Sequence, residues 1–520
     1  MKKILIPIIF FLLLSIVFNF SSPNIPDPDS FYHIKHASIY RTEGMTFSEF
    51  PWTQFSAIKQ YSADIWYGFH ILLIPFSLFT STLGIKIAGV FLTFAVLYSL
   101  FFVLKKLDVI WPIFWAFLAF VSAPNIMNRL LMMRPHLLSL VLTILLFYYL
   151  TLNNKTDASI PRARSRSRYI SILIISALIS WVHISLVWVP MLIFGIIFII
   201  KRIIEKAWAW CDGLILLAGS LIGWLIRPNP IGAIKLAYIQ VVELMIQKQQ
   251  EATLLFGREI FPLAPQTLFQ NFSAFMILWF FAMVVLIILI KKHANILENV
   301  RMWSSGIVSI IFFVLTLTTA RRSHDIWIPF GIIFIALVLT PILKLNRKNN
   351  LYYATAFITG LITIFLTIYT PYKNNISLKE SAIEPNKFKE TSLWLKDNSQ
   401  TGDIVFNVRW SDFPMLFYWN NKNYHIGGMD PIFQYSYNPS LYWKFHYISA
   451  DEVTKYTCPA PACTKEMLED TYTVLKNDFK AKYVFLEKQR NPLFYYYLEN
   501  TPEHYEKKKD TVSEAVYLVK

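Results

Sequence analysis

Residues 24–36 read Asn-Ile-Pro-Asp-Pro-Asp-Ser-Phe-Tyr-His-Ile-Lys-His, directly after an apolar run ends. Two carboxylates, Asp27 and Asp29, open a stretch whose pattern is helical through Arg41. A carboxylate at a membrane surface can take a proton from a hydroxyl or hold a cation. The same residues have a structural use, because Asp29 or Ser30 can cap the helix while the prolines stiffen its entry. A second set is basic: Arg129, Arg134, Arg227, Arg321 and Arg322 fall near the ends of apolar runs. Charge near hydrocarbon is costly unless paired or used. A guanidinium fork binds phosphate bidentately, whereas a lone arginine at a helix end snorkels to headgroups. The grouping of Arg134-Pro135-His136 with Arg321 and Arg322 favours phosphate.

The elements that position these groups are membrane helices. The 520 residues are 55% hydrophobic and only 16% charged, against about 45–50% and 25% in soluble domains. Aromatic content of 17% suits broad interfacial belts. Three cysteines are too few for a disulfide framework or a four-ligand zinc site. A bilayer core takes about 20 apolar residues as helix. Spans are expected at residues 4–20, 84–104, 108–124, 136–152, 168–184, 186–200, 212–226, 272–290, 303–320, 325–343 and 351–370. The first follows Lys2 and Lys3 and lacks a clear cleavage site, so a retained anchor is expected.

The segment 66–82 is apolar but carries Pro75 and runs closely into the next span. If it lies along the outer surface, Lys2–Lys3, Lys105–Lys106, Arg162/Arg164/Arg166/Arg168, Lys201–Arg202, Lys291–Lys292 and Lys344/Arg347/Lys348 all fall on one side. That is the positive-inside pattern. The net charge of +16 then reports topology, and no nucleic-acid partner is expected. About eleven spans put the C-terminus on the outer face of a multi-pass plasma (inner) membrane protein. The expected domains are a transmembrane domain, 1–370, with outer loops 21–83 and 227–271, and an extracytoplasmic α/β domain, 371–520. In the tail, 387–398 and 465–481 are expected as helices and 403–408 and 482–486 as strands. Cys458 and Cys463 flank Pro-Ala-Pro-Ala and suit a local disulfide in an oxidising compartment.

Several short motifs resemble the GT-C glycosyltransferases, especially the oligosaccharyltransferase catalytic subunit. Asp29-Ser30-Phe31-Tyr32-His33-Ile34-Lys35 is similar to the family's first-loop motif, and Pro51-Trp52-Thr53 to the sequence that follows it. Arg321-Arg322-Ser323-His324-Asp325 resembles the arginine that meets lipid phosphate or acceptor. Trp394-Leu395-Lys396-Asp397-Asn398, then Asp403-Ile404-Val405-Phe406, then Trp410-Ser411-Asp412-Phe413 follow the family's order in the tail. The resemblance implies transfer of a sugar from a polyprenyl-phosphate-linked donor to a glycan, lipid or protein acceptor. Asp29 is then the base with Asp27 assisting, Arg129, Arg134, His136, Arg321 and Arg322 bind substrate, and Trp410 and Asp412 shape acceptor access. The chain departs from the pattern in two places. Trp410-Ser411-Asp412-Phe413-Pro414 lacks the acceptor motif's second Trp, Tyr and Gly, and residues 122–136 hold no Asp or Glu. A divalent cation (Mg²⁺ or Mn²⁺) is therefore left open, with Asp27, Asp29 and a distant Glu259 forming a weak site or none, and transfer is expected to survive chelation.

A non-enzymatic transporter or lipid-carrier flippase is the second class. It requires ionisable groups at mid-span, broken helices and repeat symmetry. The spans are nearly free of mid-membrane charge and the polar residues gather on one face, which favours the enzyme.

Overall fold

A computed structural model describes residues 2–152, 162–292, 297–345, 350–452 and 455–520. Arg347, Lys348 and the side chains of Lys2, Lys3, Arg162, Arg164 and Lys292, which entered the charge reading, lie outside the described residues and side chains. The chain divides into two compact units. Residues 1–26, 86–226 and 258–382 form a helical unit, and residues 27–85, 227–257 and 383–520 form a loop-and-tail unit.

Each expected span range is largely helical, with 108–124 covering the shorter helix Pro112–Val121. Seven helices among the described residues are long and apolar enough to cross a membrane, or eight if one bent pair is a single span. The chain is a multi-pass helical membrane protein with a C-terminal mixed α/β region. The bent pair is Pro112–Val121 with Pro124–Leu131, which turn by 96°. Pro124 has no N–H to continue the first helix and instead starts the second. Helices Arg162–Val182 and Trp210–Leu225 pack closely, because Gly219 and Gly223 present no side chain there. A Cβ on Gly223 would stand 1.9 Å from the Ala177 carbonyl oxygen, and small residues four apart permit such approach between membrane helices. At one end of this group Arg168 and Lys201 meet Asp212, at 2.5 and 3.9 Å.

The loop-and-tail unit is built on a five-stranded sheet. Its strands belong to a set numbered along the chain as β1 (Ile404–Asn407), β2 (Tyr424–His425), β3 (Tyr456–Thr457), β4 (Glu469–Asp470), β5 (Tyr483–Glu487), β6 (Tyr505–Asp510) and β7 (Glu514–Val519). The order is β2-β1-β5-β7-β6, while β3 and β4 pair separately. β1 is parallel to β2 and β5, whereas β7 is antiparallel to β5 and β6. β1 and β5 are Val/Ile/Phe-rich and buried, as inner strands require. The β6 edge carries Lys507, Lys508 and Lys509, which discourage further strand addition. The β2 edge is covered by the first loop: Thr53 bridges His425 in parallel, and the His425 N–H donates to the Trp52 carbonyl at 2.8 Å.

Three expectations need correction. Residues 465–481 are not one helix. A 3-10 turn at Lys465–Met467 gives way to β4, and helical turns resume only at Thr471. Residues within 227–271, read as loop, include the apolar stretch Pro230–Gln247, long enough to qualify as a span. Its exposed Ile231, Ile234, Tyr238, Val242 and Ile246 lie at near-helical spacing, the pattern of a face turned toward an apolar medium. Finally, Asp29 is not the cap of its helix. Pro28 occupies the N-cap position and has no side-chain acceptor to offer, so Asp29 stands in the first turn of Asp29–Glu43. There its charge meets the positive end of the helix. Cys458 and Cys463 do form the local disulfide, and Cys211 is a free, exposed thiol.

Candidate functional site

In the loop-and-tail unit, helix Asp29–Glu43 presents Asp29, His33, His36 and Tyr40 at spacings that share one face. Asp27 is buried just before it, while Asp29 is half-buried. The Tyr32 hydroxyl is pushed well above its ordinary range by burial and by the negative charge of Asp64 and Asp29. Below Asp29 the same face meets a second segment. Asp64 Oδ2 lies 2.6 Å from His70 Nδ1 and accepts from the Tyr40 hydroxyl at 3.0 Å. His70 Nε2 lies 2.8 Å from His33 Nδ1, and His36 Nδ1 lies 3.0 Å from the Tyr32 hydroxyl. Burial opposes ionisation of Asp64, but His70, His36 and the Trp66 amide hold its carboxyl well below the usual range. Burial drives the His36 ring down to about 3, so it is neutral at pH 7.

The two tail residues anticipated at the acceptor are built into this unit's frame. The Trp410 indole packs on the sheet core and donates to the Leu255 carbonyl at 2.9 Å. Asp412 is buried, 3.3 Å from Arg490. Burial raises its carboxyl to about 6 despite that arginine, with nearby Glu487 adding to the rise.

The helical unit gathers most of the basic candidates. Pro124 and Pro135 start the two short helices that carry Arg129 and flank Arg134. Arg129 binds Asp325 through Nε at 3.1 Å and Nη2 at 2.5 Å, and reaches Glu259 through Nη1 at 2.8 Å. Arg134 Nη1 reaches the other Glu259 oxygen at 2.9 Å. His136 Nε2 lies 3.8 Å and His324 Nε2 3.6 Å from Asp325. Burial alone would raise the Glu259 carboxyl, but Arg134, Arg129 and Arg322 hold it well below the usual range. A cavity of about 20 Å³, room for roughly one water, lies between Arg129, His136, Asp325 and an apolar lining that includes Leu97 and Ala119.

Arg321 and Arg322 differ from the other two. They sit in the 3-10 turn before helix His324–Leu343, half-buried, with no carboxylate within ion-pair distance among the described residues. Among the described residues, Arg129 and Arg134 are thus paired with Asp325 and Glu259, while Arg321 and Arg322 add positive charge outside those pairs. This loop set does not fit a hard divalent cation. Such ions need several free anionic oxygens, and both Glu259 oxygens are already taken by arginines.

Sequence reasoning missed Asp325 and the Asp64–His70 pair. Asp325 was in view, one residue after His324 and beside two arginines at the start of a span, where a carboxylate signals a partner. Asp64 and His70 belong to no motif, and only the folded loop brings them to His33 and His36.

No family model matches the chain, and no curated protein matches it either. Solved structures do. The archaeal oligosaccharyltransferase AglB from Archaeoglobus fulgidus, in complex with an inhibitory peptide and a dolichol-phosphate, aligns with a TM-score of 0.64 at 11% identity, over 97% of this chain and 72% of that one. ArnT from Cupriavidus metallidurans aligns in the apo state with a TM-score of 0.58 at 10% identity, over 98% of this chain and 97% of that one. Bound to undecaprenyl phosphate, the same enzyme aligns at 0.55 and 11% identity, covering 99% of this chain and 97% of that one. Both are GT-C membrane glycosyltransferases. The fold is the GT-C fold. At 10–11% identity the GT-C likeness speaks for architecture, and residue roles must be argued from the chain itself.

Proposed function

We propose that the protein is an inverting glycosyltransferase that takes a sugar from a polyprenyl-phosphate-linked donor and passes it to an acceptor hydroxyl or amide on the outer face of the membrane. The observation that carries this reading is the surplus charge at Arg321 and Arg322, beside arginines already matched by Glu259 and Asp325. An anionic group with several acceptor oxygens suits that surplus. Solved proteins of the same fold hold dolichol-phosphate or undecaprenyl phosphate.

In the proposed reaction Asp29 accepts the acceptor's proton as the acceptor atom bonds to the anomeric carbon. The bond from that carbon to the phosphate oxygen breaks, and the electron pair leaves with the lipid phosphate. Arg322 and Arg321 stabilise the charge that develops there, and Arg129, Arg134 and His136 fix the substrate-facing end of the unit through Asp325 and Glu259. Asp27 tunes Asp29 by its charge. Trp410 and Asp412 act on the acceptor by holding the tail in shape.

Arg322→Ala should raise the KM for the lipid donor by about 10–100-fold, the worth of a hydrogen bond to a charged group, with a smaller effect on the acceptor KM. Steady-state kinetics with a polyprenyl-phosphate donor checks this, and an unchanged donor KM removes Arg322 from the site. The topology proposed with this function has eleven spans, with segment 66–82 and the apolar stretch Pro230–Gln247 both lying along the outer surface, and the tail outside. Arg168 and Lys201, from different helices, meeting at Asp212 supports a shared side for those ends. Single cysteines placed near Arg166 and near Asn438 should label from opposite sides of the membrane. Labelling of both from one side would contradict the topology.

A further inference from the structure

We propose that His36, Asp64 and His70 bind a divalent cation of the zinc class, which fastens helix Asp29–Glu43 to helix Tyr67–Leu73. The site does not depend on the glycosyl-transfer reading, and it shares no residue with Asp27, Asp29 or Glu259.

One donor atom from each of the three side chains lies within 4.8 Å of the others. The side chains are almost closed to solvent, at 5%, 6% and 0% exposure for His36, Asp64 and His70. Two imidazole nitrogens and one carboxylate oxygen are a donor set for zinc and its neighbours; magnesium and calcium favour all-oxygen sites.

The atoms behind the donors are arranged as a metal site requires. A ligating histidine normally donates its other ring N–H to a fixed acceptor, which sets tautomer and orientation. His70, coordinating through Nδ1, has Nε2 2.8 Å from His33 Nδ1. His36, coordinating through Nε2, has Nδ1 3.0 Å from the Tyr32 hydroxyl. The carboxylate is held too, with the Trp66 N–H on Asp64 Oδ1 at 2.9 Å and the Tyr40 hydroxyl on Oδ2 at 3.0 Å. The Asp64 carbonyl accepts from Arg227 Nη1 at 2.9 Å, so the backbone that carries the ligand is also fixed.

A buried hydrogen-bond network without an ion is the competing account, and the position of His36 decides between them. The Asp64–His70 pair, at 2.6 Å, is already complete. His36 Nε2 nevertheless lies 3.9 Å from the same carboxylate oxygen, outside hydrogen-bond range, with its ring stacked on His70 at 4.3 Å. Metal bonds of about 2.0–2.2 Å place tetrahedral ligand atoms roughly 3.3 Å apart. Reaching that geometry closes the 3.9 Å gap by about 0.6 Å and opens the 2.6 Å one by about 0.7 Å. Small ring rotations achieve both. The fourth position is left for water or the Tyr40 hydroxyl.

The test is elemental analysis of the full-length protein, purified in detergent through a tag without histidines, with Co²⁺ and Zn²⁺ as added probes. The wild type should carry one zinc-class ion per chain. After stripping, Co²⁺ should restore one ion and give the visible absorption bands of a nitrogen- and oxygen-ligated site, and Zn²⁺ should raise the thermal midpoint. His36→Gln and His70→Gln should each lose the ion and the Zn²⁺-dependent rise, while His504→Gln in the tail keeps both. Because His70→Gln can unfold the loop, His36→Gln that remains monodisperse is the deciding variant. A wild type that neither holds an ion nor responds to Zn²⁺ and Co²⁺ overturns the proposal. So does a folded His36→Gln that retains its ion.

Discussion

Asp29→Asn is expected to abolish glycosyl transfer and leave a normally expressed, folded membrane protein. The substitution keeps the size of the side chain and removes the proton acceptor. General-base catalysis contributes about 10²–10⁴-fold, so the loss should exceed any effect of altered packing. Because Pro28 holds the N-cap position, Asp29 is not needed as the helix cap. Its contribution to the helix is the interaction of a first-turn charge with the peptide dipole, about 0.3–1 kcal/mol. That is far too small to mimic a catalytic defect. Turnover of a polyprenyl-phosphate-linked sugar by the purified variant is the measurement. Activity within about threefold of wild type at equal expression would remove Asp29 from the base role.

The second large effect is on stability. Arg129 is 11% and Asp325 13% exposed, and the guanidinium is shared between Asp325 and Glu259. Replacing Arg129 with Met leaves the Asp325 carboxylate beside hydrocarbon without its partner. Breaking a buried pair in this way costs about 3–5 kcal/mol, whereas removing both charges together is often close to neutral. Arg129→Met alone should therefore lower the unfolding midpoint in detergent sharply. Adding Asp325→Leu should recover most of the loss. Additive losses in the double variant would mean that the two side chains are not coupled, and the arginine network would lose its structural meaning.

The helical elements follow from apolar length, and the proline positions explain where helices begin and where residues 112–131 bend. Inner strands β1 and β5 likewise appear as short apolar runs, because strands buried on both faces carry apolar residues without alternation. The stretch from Lys465 to Ala481 misled because β4 is only two residues long, below the length at which alternation can be recognised. Pro230–Gln247 misled for another reason: it lies between basic and polar flanks that mark a loop, although it is apolar enough to be a span. At the candidate sites, arginines could be chosen by sequence because charge near hydrocarbon is conspicuous. Their neutralising partners could not be paired with them. Glu259 and Asp325 reach Arg129 across separations of 130 and 196 residues, which no local pattern encodes. The same holds for Asp64, which meets His36 only after the first loop has folded back.

The central claim is that the site receives a polyprenyl phosphate, and the lipid that co-purifies with the protein tests it most directly. Mass spectrometry of extracts from wild-type protein and from Arg322→Ala, prepared side by side in mild detergent, supplies the measurement. The expected result is a polyprenyl phosphate or its glycosylated form retained by wild type and depleted in the variant, with bulk phospholipid equal in both. Phospholipid alone in both preparations, with added polyprenyl phosphate bound no better by wild type than by Arg322→Ala, would contradict it.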